Sequence, residues 1–497
     1  MNKFLGQFHS AFYVDLRSLA LTRIAFSLLI LVDLFIRAFT LEAHYTDFGL
    51  MPRTALLDLH WNQWHVSLHM ISGLFAVQFF FFTLAASFAF LLLVGYQTTM
   101  STIVSWLLLV SLHNRNPLVL QGEDFIFRCL LFWGIFMPWG ARFSVDACLK
   151  PAEKKYPDRL FSPGALAFMA QIVMMYVFSA LLKTGFEWRR DFTAIYYALS
   201  SEQYRHWLGA VLYQFPNLMK AMTFTVYWLE MLGSILFFIP FKKDLFRVIG
   251  ILAFGSFQFG LFLTMRLGLF PWVSLAALLV FLPSKFWEIF PILSSTLGRC
   301  AEKLAHFIRT NLPLAVLFVG RQDYLLGSRP FAQAAVVIPL LVYVFFWNLS
   351  TIQHPPVSIN RNLLWIGHFL RLDQKWDMFA PRPFTDDGWY VIPGTLRNGN
   401  IVDVFRDGAK ISWEKPGDQH ADYKTYRWHK YMWNLWLIVN SKDRLYYGKY
   451  LCRKWNREHQ GQEQLITFDI YYLKEETLPN YKTKDIEKIH LWNHHCF

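Results

Sequence analysis

Long apolar stretches alternate along this chain with short joints rich in basic residues, glycine and proline. A bilayer core about 30 Å thick is crossed by about 20 apolar residues in a helix. On that measure the pattern predicts nine spans, within a range of eight to ten. They fall roughly at 19–39, 68–94, 101–112, a fourth ending at 137, 163–183, 221–240, 246–265, an eighth ending at 282, and 334–349. Beyond 349 the period changes. Alternation over 388–396 and 401–405 around Asn398-Gly399 predicts a β-hairpin, 466–473 another strand, and 423–438 a helix.

The expected fold is therefore a polytopic α-helical membrane protein with a C-terminal extramembrane α/β domain containing a β-hairpin. Residues 1–350 form the membrane domain, with an amphipathic linker over 301–333 lying along the surface, and 351–497 form the outer domain. The N-terminus lacks the apolar core and cleavage site of a signal peptide, so the first span is expected to stay.

Composition agrees: 55% of residues are hydrophobic, 18% aromatic and only 17% charged. The net charge of +13 is not spread as a nucleic-acid surface would be. Fourteen Lys and Arg occupy the joints on the N-terminal side of the membrane and seven the opposite joints, which sets the N-terminus inside and the C-terminal domain outside. No nucleic-acid partner is expected; the partners are membrane lipid and a protein or peptide substrate on the outer face. The five cysteines form no metal-ligand spacing. Cys452 and Cys496 either pair in an oxidising compartment or remain thiols. His494-His495-Cys496 lacks a further ligand at proper spacing, so no metal is predicted.

Charges within the apolar pattern are the candidate chemistry, because a charge in hydrocarbon must face the interior and pair. These are Arg23, Asp33 and Arg37 in the first span and Glu230 in the sixth. Asp33 and Arg37 stand four apart, which suits an ion pair. Lys183 ends the fifth span, within Tyr176 to Trp188. It either snorkels to the interface or acts as a base, since desolvation favours the neutral amine that a base near pH 7 requires. Asn114, Arg115, Asn116, Glu123 and Asp124 crowd a joint that needs only a few turn residues. The two acids also suit a helix N-terminus, and His113 an end-cap of its span. Gln258 lies within the seventh apolar run. The orientation brings these joints, Lys183 and the Gly268–Trp272 turn to one outer face.

Several motifs together resemble one family. Leu21-Thr22-Arg23-Ile24, Tyr45-Thr46-Asp47, Asn114-Arg115-Asn116-Pro117, Gln121-Gly122-Glu123-Asp124 and Trp389-Tyr390-Val391-Ile392-Pro393-Gly394 are similar to stretches of bacterial proteins carrying the horizontally transferred transmembrane domain. That domain is itself similar to vitamin K-dependent gamma-carboxylase. Lys183 with Trp188 resembles the carboxylase segment holding its catalytic lysine. Gly268-Leu269-Phe270-Pro271-Trp272 resembles its Gly-Met-Phe-Pro-Tyr turn, and Trp376-Asp377-Met378 its Trp-Asp-Met-Met motif.

The resemblance implies a quinol-dependent oxygenation or carboxylation at the outer membrane face. Lys183 would be the base, with the Glu123–Asp124 pair as proton acceptor or counter-ion. Asn114, Arg115, Asn116, Gln258, Trp188, Phe270, Trp376, Asp377 and Met378 would bind the quinol or substrate. The implied cofactor is reduced vitamin K or another isoprenoid quinol, with oxygen and carbon dioxide, and the implied location a bacterial inner membrane with a periplasmic C-terminal domain. Two positions depart from the carboxylase: Glu123 and Gln258 stand where it has functional histidines. The rival expectation is a lipid-binding or transport-like protein that kept the fold without the chemistry.

Overall fold

A computed structural model describes residues 12–150, 157–312 and 330–497. Among these, six helical stretches are long and apolar enough to cross a membrane. They are α1 (Leu16–Ala38), α2 (Phe75–Val94), α5 (Pro163–Leu182), α6 (Pro216–Leu232, continued by a 3₁₀ turn to Phe238), α7 (Lys243–Thr264) and most of α10 (Pro330–Thr351). Between them lie α3 (Thr98–Arg115), α4 (Gly122–Gly134) and α8 (Phe270–Leu278).

Local chemistry sets these boundaries. α2 stops at Gly95, whose φ of +71° lets the N–H groups of Gly95 and Tyr96 reach back to Leu92 and Leu91. Arg23 reinforces that end, donating to the Leu92 carbonyl at 2.8 Å and the Phe143 carbonyl at 2.6 Å. α4 opens with a capping box between Gln121 and Asp124. α5 begins at Pro163 behind Ser162 and ends at Lys183, where Gly185 turns the chain against the Pro381 carbonyl.

The nine expected spans reduce to six helices of spanning character because three of the stretches are short or mixed. α4 has 13 residues and α8 only 9, extended by a 3₁₀ turn to Phe281. At 1.5 Å per residue neither reaches across roughly 30 Å of hydrocarbon. They are apolar because they are interior: every α4 residue except Gly122 and Phe125 is buried. α3 is 18 residues long, diluted by Ser, Thr, His, Asn and Arg. The second span begins later than expected, at Phe75, after a 3₁₀ turn at Leu68–Met70. A helix, α9 (Pro291–Asn311), starts ten residues before the expected amphipathic linker and overlaps only its first part, with only Ala301 and Ala305 buried. Residues 313–329 of the linker lie outside the described residues.

The two ends of the bundle differ. At one end β1 (Val14–Asp15) pairs with β2 (Arg159–Leu160), and Ser18 donates to the Leu282 carbonyl. The other end carries the C-terminal domain, tied down by Arg453 to the Phe48 carbonyl (2.8 Å), Arg457 to Glu42 (2.8 Å) and Arg266 to Asp418 (2.9 Å).

That domain is a sheet backed by α11 (Tyr426–Trp436) and α12 (Asp443–Glu458). Its long central strand, β6 (Leu465–Leu478), pairs antiparallel with β3 (Asp386–Val391) and β4 (Pro393–Leu396) along one edge. β7 (Lys482–Thr483) and β8 (Glu487–His495) also pair with it. β4 turns at Asn398-Gly399 into β5 (Ile401–Asp403), with Gly399 at φ +84°, so the expected hairpin forms. The expected helix is α11; α12 was not anticipated. A Cys452–Cys496 disulfide joins α12 to the end of the chain, which also removes Cys496 as a metal ligand.

Candidate functional site

Most of the charged residues singled out above fall into two clusters, whereas Arg23, Arg115 and Asp377 lie elsewhere. In the first, Asp33 and Arg37 lie one turn apart on α1 and pair at 2.7 Å, as their spacing predicts. Arg37 also donates to the Tyr45 hydroxyl (2.6 Å) and to Asp124 (2.5 Å). Arg427 descends from α11 into the same cluster. It donates to Asp33 at 2.7 Å, forms an ion pair with Asp124, lies 3.2 Å from Glu123 and donates to the Val119 carbonyl at 2.9 Å. His113 Nε2 sits 3.2 Å from Asp124. Asp33, Arg37, His113, Glu123, Asp124 and Arg427 are all almost wholly buried.

Arg427 and His113 are the participants that sequence reasoning left out of the candidate set. The structure, more than the sequence, isolates the signal for Arg427. Of the other cations on α1 and α4, Arg17 turns to Asp15, Arg23 to the Leu92 and Phe143 carbonyls and Arg128 to Asp373, which leaves Asp33, Glu123 and Asp124 with Arg37 alone on their own helices. A buried acid without a partner is too costly to leave, so another cation had to arrive from elsewhere in the chain.

The second cluster is smaller. Lys183 donates to Ser179 at 2.9 Å and forms an ion pair with Glu230 of α6. Its ammonium lies 4.8 Å from the centre of the Trp188 ring, a favourable cation–π approach. Trp188 is fixed by a 2.8 Å hydrogen bond to the Phe379 carbonyl. Tyr176, Ser179 and Lys183 recur at helical spacing and so share one face of α5. Gln258 of α7 donates to the Tyr176 hydroxyl at 3.1 Å, and its own carbonyl oxygen has no partner among the described residues. The counter-ion sought for Lys183 in Glu123–Asp124 is therefore Glu230, because Arg37 and Arg427 already hold the other acids.

The remaining candidates tie segments together. Arg115 donates to the Met51 carbonyl (2.6 Å) and Asn116 to the His44 carbonyl (2.9 Å), so both pin the loop after α1. Asn114 donates to the Val66 carbonyl and accepts from Arg371 at 2.6 Å. The three thus meet backbone and one another's loops rather than a shared open pocket. Phe270 and Met378 close over Gly122, where an added Cβ would lie 2.8 Å from the Met378 sulfur. Trp376 is buried and donates to Gln374 at 2.8 Å, while Asp377 pairs with Lys375 at 2.9 Å on the surface.

Three features fall outside these expectations. Lys430 of α11 is held below the ordinary lysine value by burial, against the opposing pull of Asp377 and Glu123. His65, His368 and Asp373 bring three potential ligand atoms within 4.8 Å of one another. An open cleft in the C-terminal domain is lined by Asp407, Asp422, Tyr423, Tyr447, Tyr450 and Lys454 among others, and none of the sequence-predicted site residues borders it.

Comparison of the chain with protein-family models, with curated proteins and with solved structures finds no match.

Proposed function

We propose that this chain is an integral membrane protein of carboxylase-like type, in which Lys183 serves as the base for a quinol at the outer face of a bacterial inner membrane. In this reading all nine apolar stretches run between the two ends of the bundle within the membrane, the three short or mixed ones packed among the six longer helices. An odd number of passes then places the C-terminal domain opposite the N-terminus, in the periplasm. The observation that carries the proposal is the buried Lys183–Glu230 pair beside Ser179 and Trp188.

A lysine in salt bridge with a carboxylate is not yet a base. It becomes one when its proton passes to Glu230, leaving an uncharged amine and an uncharged acid, a combination that low polarity favours over separated charges. The amine then accepts a proton from a quinol hydroxyl. Gln258, with its free carbonyl oxygen beside Tyr176, supplies a hydrogen-bond acceptor for the ring. Apolar helices around the pair suit an isoprenoid tail. Oxygen and carbon dioxide are the co-reactants of the family's chemistry, and a peptide glutamate its acceptor.

The test is oxidation of a reduced naphthoquinone by purified protein in detergent under oxygen, comparing wild type with Lys183→Ala and Lys430→Ala. Epoxide formed by wild type and Lys430→Ala but lost in Lys183→Ala is the expected result. Equal turnover in Lys183→Ala, with the fold intact, would sink the role of this lysine.

A second reading rests on the same contact. The Lys183–Glu230 bridge is already closed, as in a purely structural pair, and this favours a lipid-binding or transport-like protein without chemistry. Absence of turnover with every quinol offered, from a folded wild type, would select it.

A further inference from the structure

Two further arginines are buried at the junction between the bundle and the C-terminal domain, and neither belongs to the clusters above. Arg128 projects from α4; Arg371 follows the short helix Leu364–Phe369. Arg128 donates to the Asp373 carbonyl and lies 3.5 Å from the Asp373 carboxylate. Its Nε and Nη1 have no nitrogen or oxygen partner among the described residues; the guanidinium lies 4.3 Å from the centre of the Phe125 ring and beside the Cys129 thiol. Arg371 donates to Asn114 at 2.6 Å and approaches His65 Nε2 at 2.9 Å, while its Nε, 3.3 Å from Asp373, is not aligned for a hydrogen bond. Buried guanidinium N–H groups are normally satisfied, so three that are not mark a place for an acceptor.

The charge balance points the same way. Among the described residues, Asp373 is the one acid in contact with both arginines. Burial, then Arg371, pushes His65 down to about 4, so it is uncharged at neutral pH. Burial, then Arg128, pushes Arg371 down to about 10, the response of a cation crowded by a like charge. One positive charge is left over. The trio His65, His368 and Asp373 has the spacing of metal ligands, but a cation would add to that surplus and compete with Arg371 for His65. An anion would cancel it.

The surroundings indicate where such an anion comes from. Asp373 and both histidines are half-buried, so the cluster reaches the surface. Beside it stand the exposed apolar side chains Trp64, Val66, Trp365 and Phe369, with the two tryptophan rings 6.1 Å apart. Tryptophan flanking a buried cation is the pattern of a membrane–water boundary that receives a head group.

We propose that Arg128 and Arg371 form a binding site for a singly charged oxyanion, the phosphodiester of an anionic lipid head group, with free phosphate as the other source of the same chemistry. The site is independent of Lys183, and its occupancy would hold the loop before α2, α4 and the entry to the C-terminal domain together.

The test uses the full chain in neutral detergent, titrated with phosphatidylglycerol, phosphatidylcholine and inorganic phosphate and followed by tryptophan fluorescence and thermal unfolding. Wild type should bind phosphatidylglycerol at least tenfold more tightly than phosphatidylcholine. Arg371→Gln should weaken that binding tenfold or more and Arg371→Lys by less, whereas Arg299→Gln, on exposed α9, should leave it unchanged. Phosphate that binds and is lost in Arg371→Gln, without a preference for phosphatidylglycerol, would support the oxyanion site and assign it to the free ion. If Arg371→Gln does not fold, the lysine variant carries the comparison. A wild type that prefers none of the three, or a preference untouched in the folded Arg371 variants, overturns the proposal.

Discussion

The buried ionic clusters around Asp124 and around Lys183 differ in how many partners each charge has. Around Asp124, two guanidiniums, an imidazole and a capping N–H converge on one carboxylate, drawn from α1, α3, α4 and α11. Around Lys183 there is one carboxylate, one hydroxyl and one ring face. A charge held from four directions cannot change protonation or position without disturbing every element that holds it. A charge held by one counter-ion can exchange its proton with that partner and leave the frame intact. The crowded cluster is thus built for cohesion, and the sparse one retains freedom for chemistry.

That contrast is broken most forcefully at Arg427. Replacing it with methionine leaves Glu123 without a cation and Asp33 and Asp124 with Arg37 alone, and removal of one partner from a buried pair costs about 3–5 kcal/mol. We expect a loss near about 5 kcal/mol, seen as a large fall in the unfolding midpoint and rapid proteolysis of the C-terminal domain. A variant as stable as wild type would show that the cluster is not what joins the two parts.

The sparse cluster should respond differently. Lys183→Met alone should cost about 3 kcal/mol, and most of that should return in Lys183→Met/Glu230→Leu, because an apolar pair can replace an isolated buried bridge. A double variant no better than the single would mean that Glu230 has other partners and that the two clusters are alike. Asn116→Ala is a smaller test of the frame around the crowded cluster. It leaves the His44 carbonyl and the Leu118 N–H without their partner, at about 2 kcal/mol by denaturant unfolding.

The mildest probe is pH. His44, against Arg37 and Arg427, and His429, on the buried face of α11, are both pushed down to about 3, chiefly by burial. Unfolded histidine takes up a proton near pH 6.5 whereas these remain neutral in the fold, so between about 6.5 and 3 the unfolded chain binds more protons. Their contribution is complete above about 6.5 and is lost progressively as pH falls toward 3. Unfolding midpoints should decline over that window, and His429→Gln should flatten the decline.

Much of the architecture is legible in the sequence because hydropathy and turn chemistry are local. The change of character after residue 349, the Asn398-Gly399 hairpin and the Asp33–Arg37 pair each follow from neighbours in the chain. What was not legible required long-range geometry. An interior helix such as α4 is as apolar as a spanning one, so composition cannot separate them; only its 13-residue length does. Lys183 finds Glu230 47 positions away, and nothing in the spacing singles out that acid over Glu123. α12 was missed because its sequence is strongly polar, carrying a helix whose apolar face only the sheet completes.

The placement of Arg427 also has a consequence for how the chain is made. Asp33 precedes it by 394 positions. At roughly 5–20 residues per second, synthesis leaves that acid waiting about 20–80 s for its second cation. That end of the bundle is therefore provisional until residue 427 has emerged, and a chain cut short before it carries an unbalanced acid cluster. The later-made domain acts as a checkpoint on the earlier-made helix: the bundle becomes durable only when α11 has arrived to neutralise it.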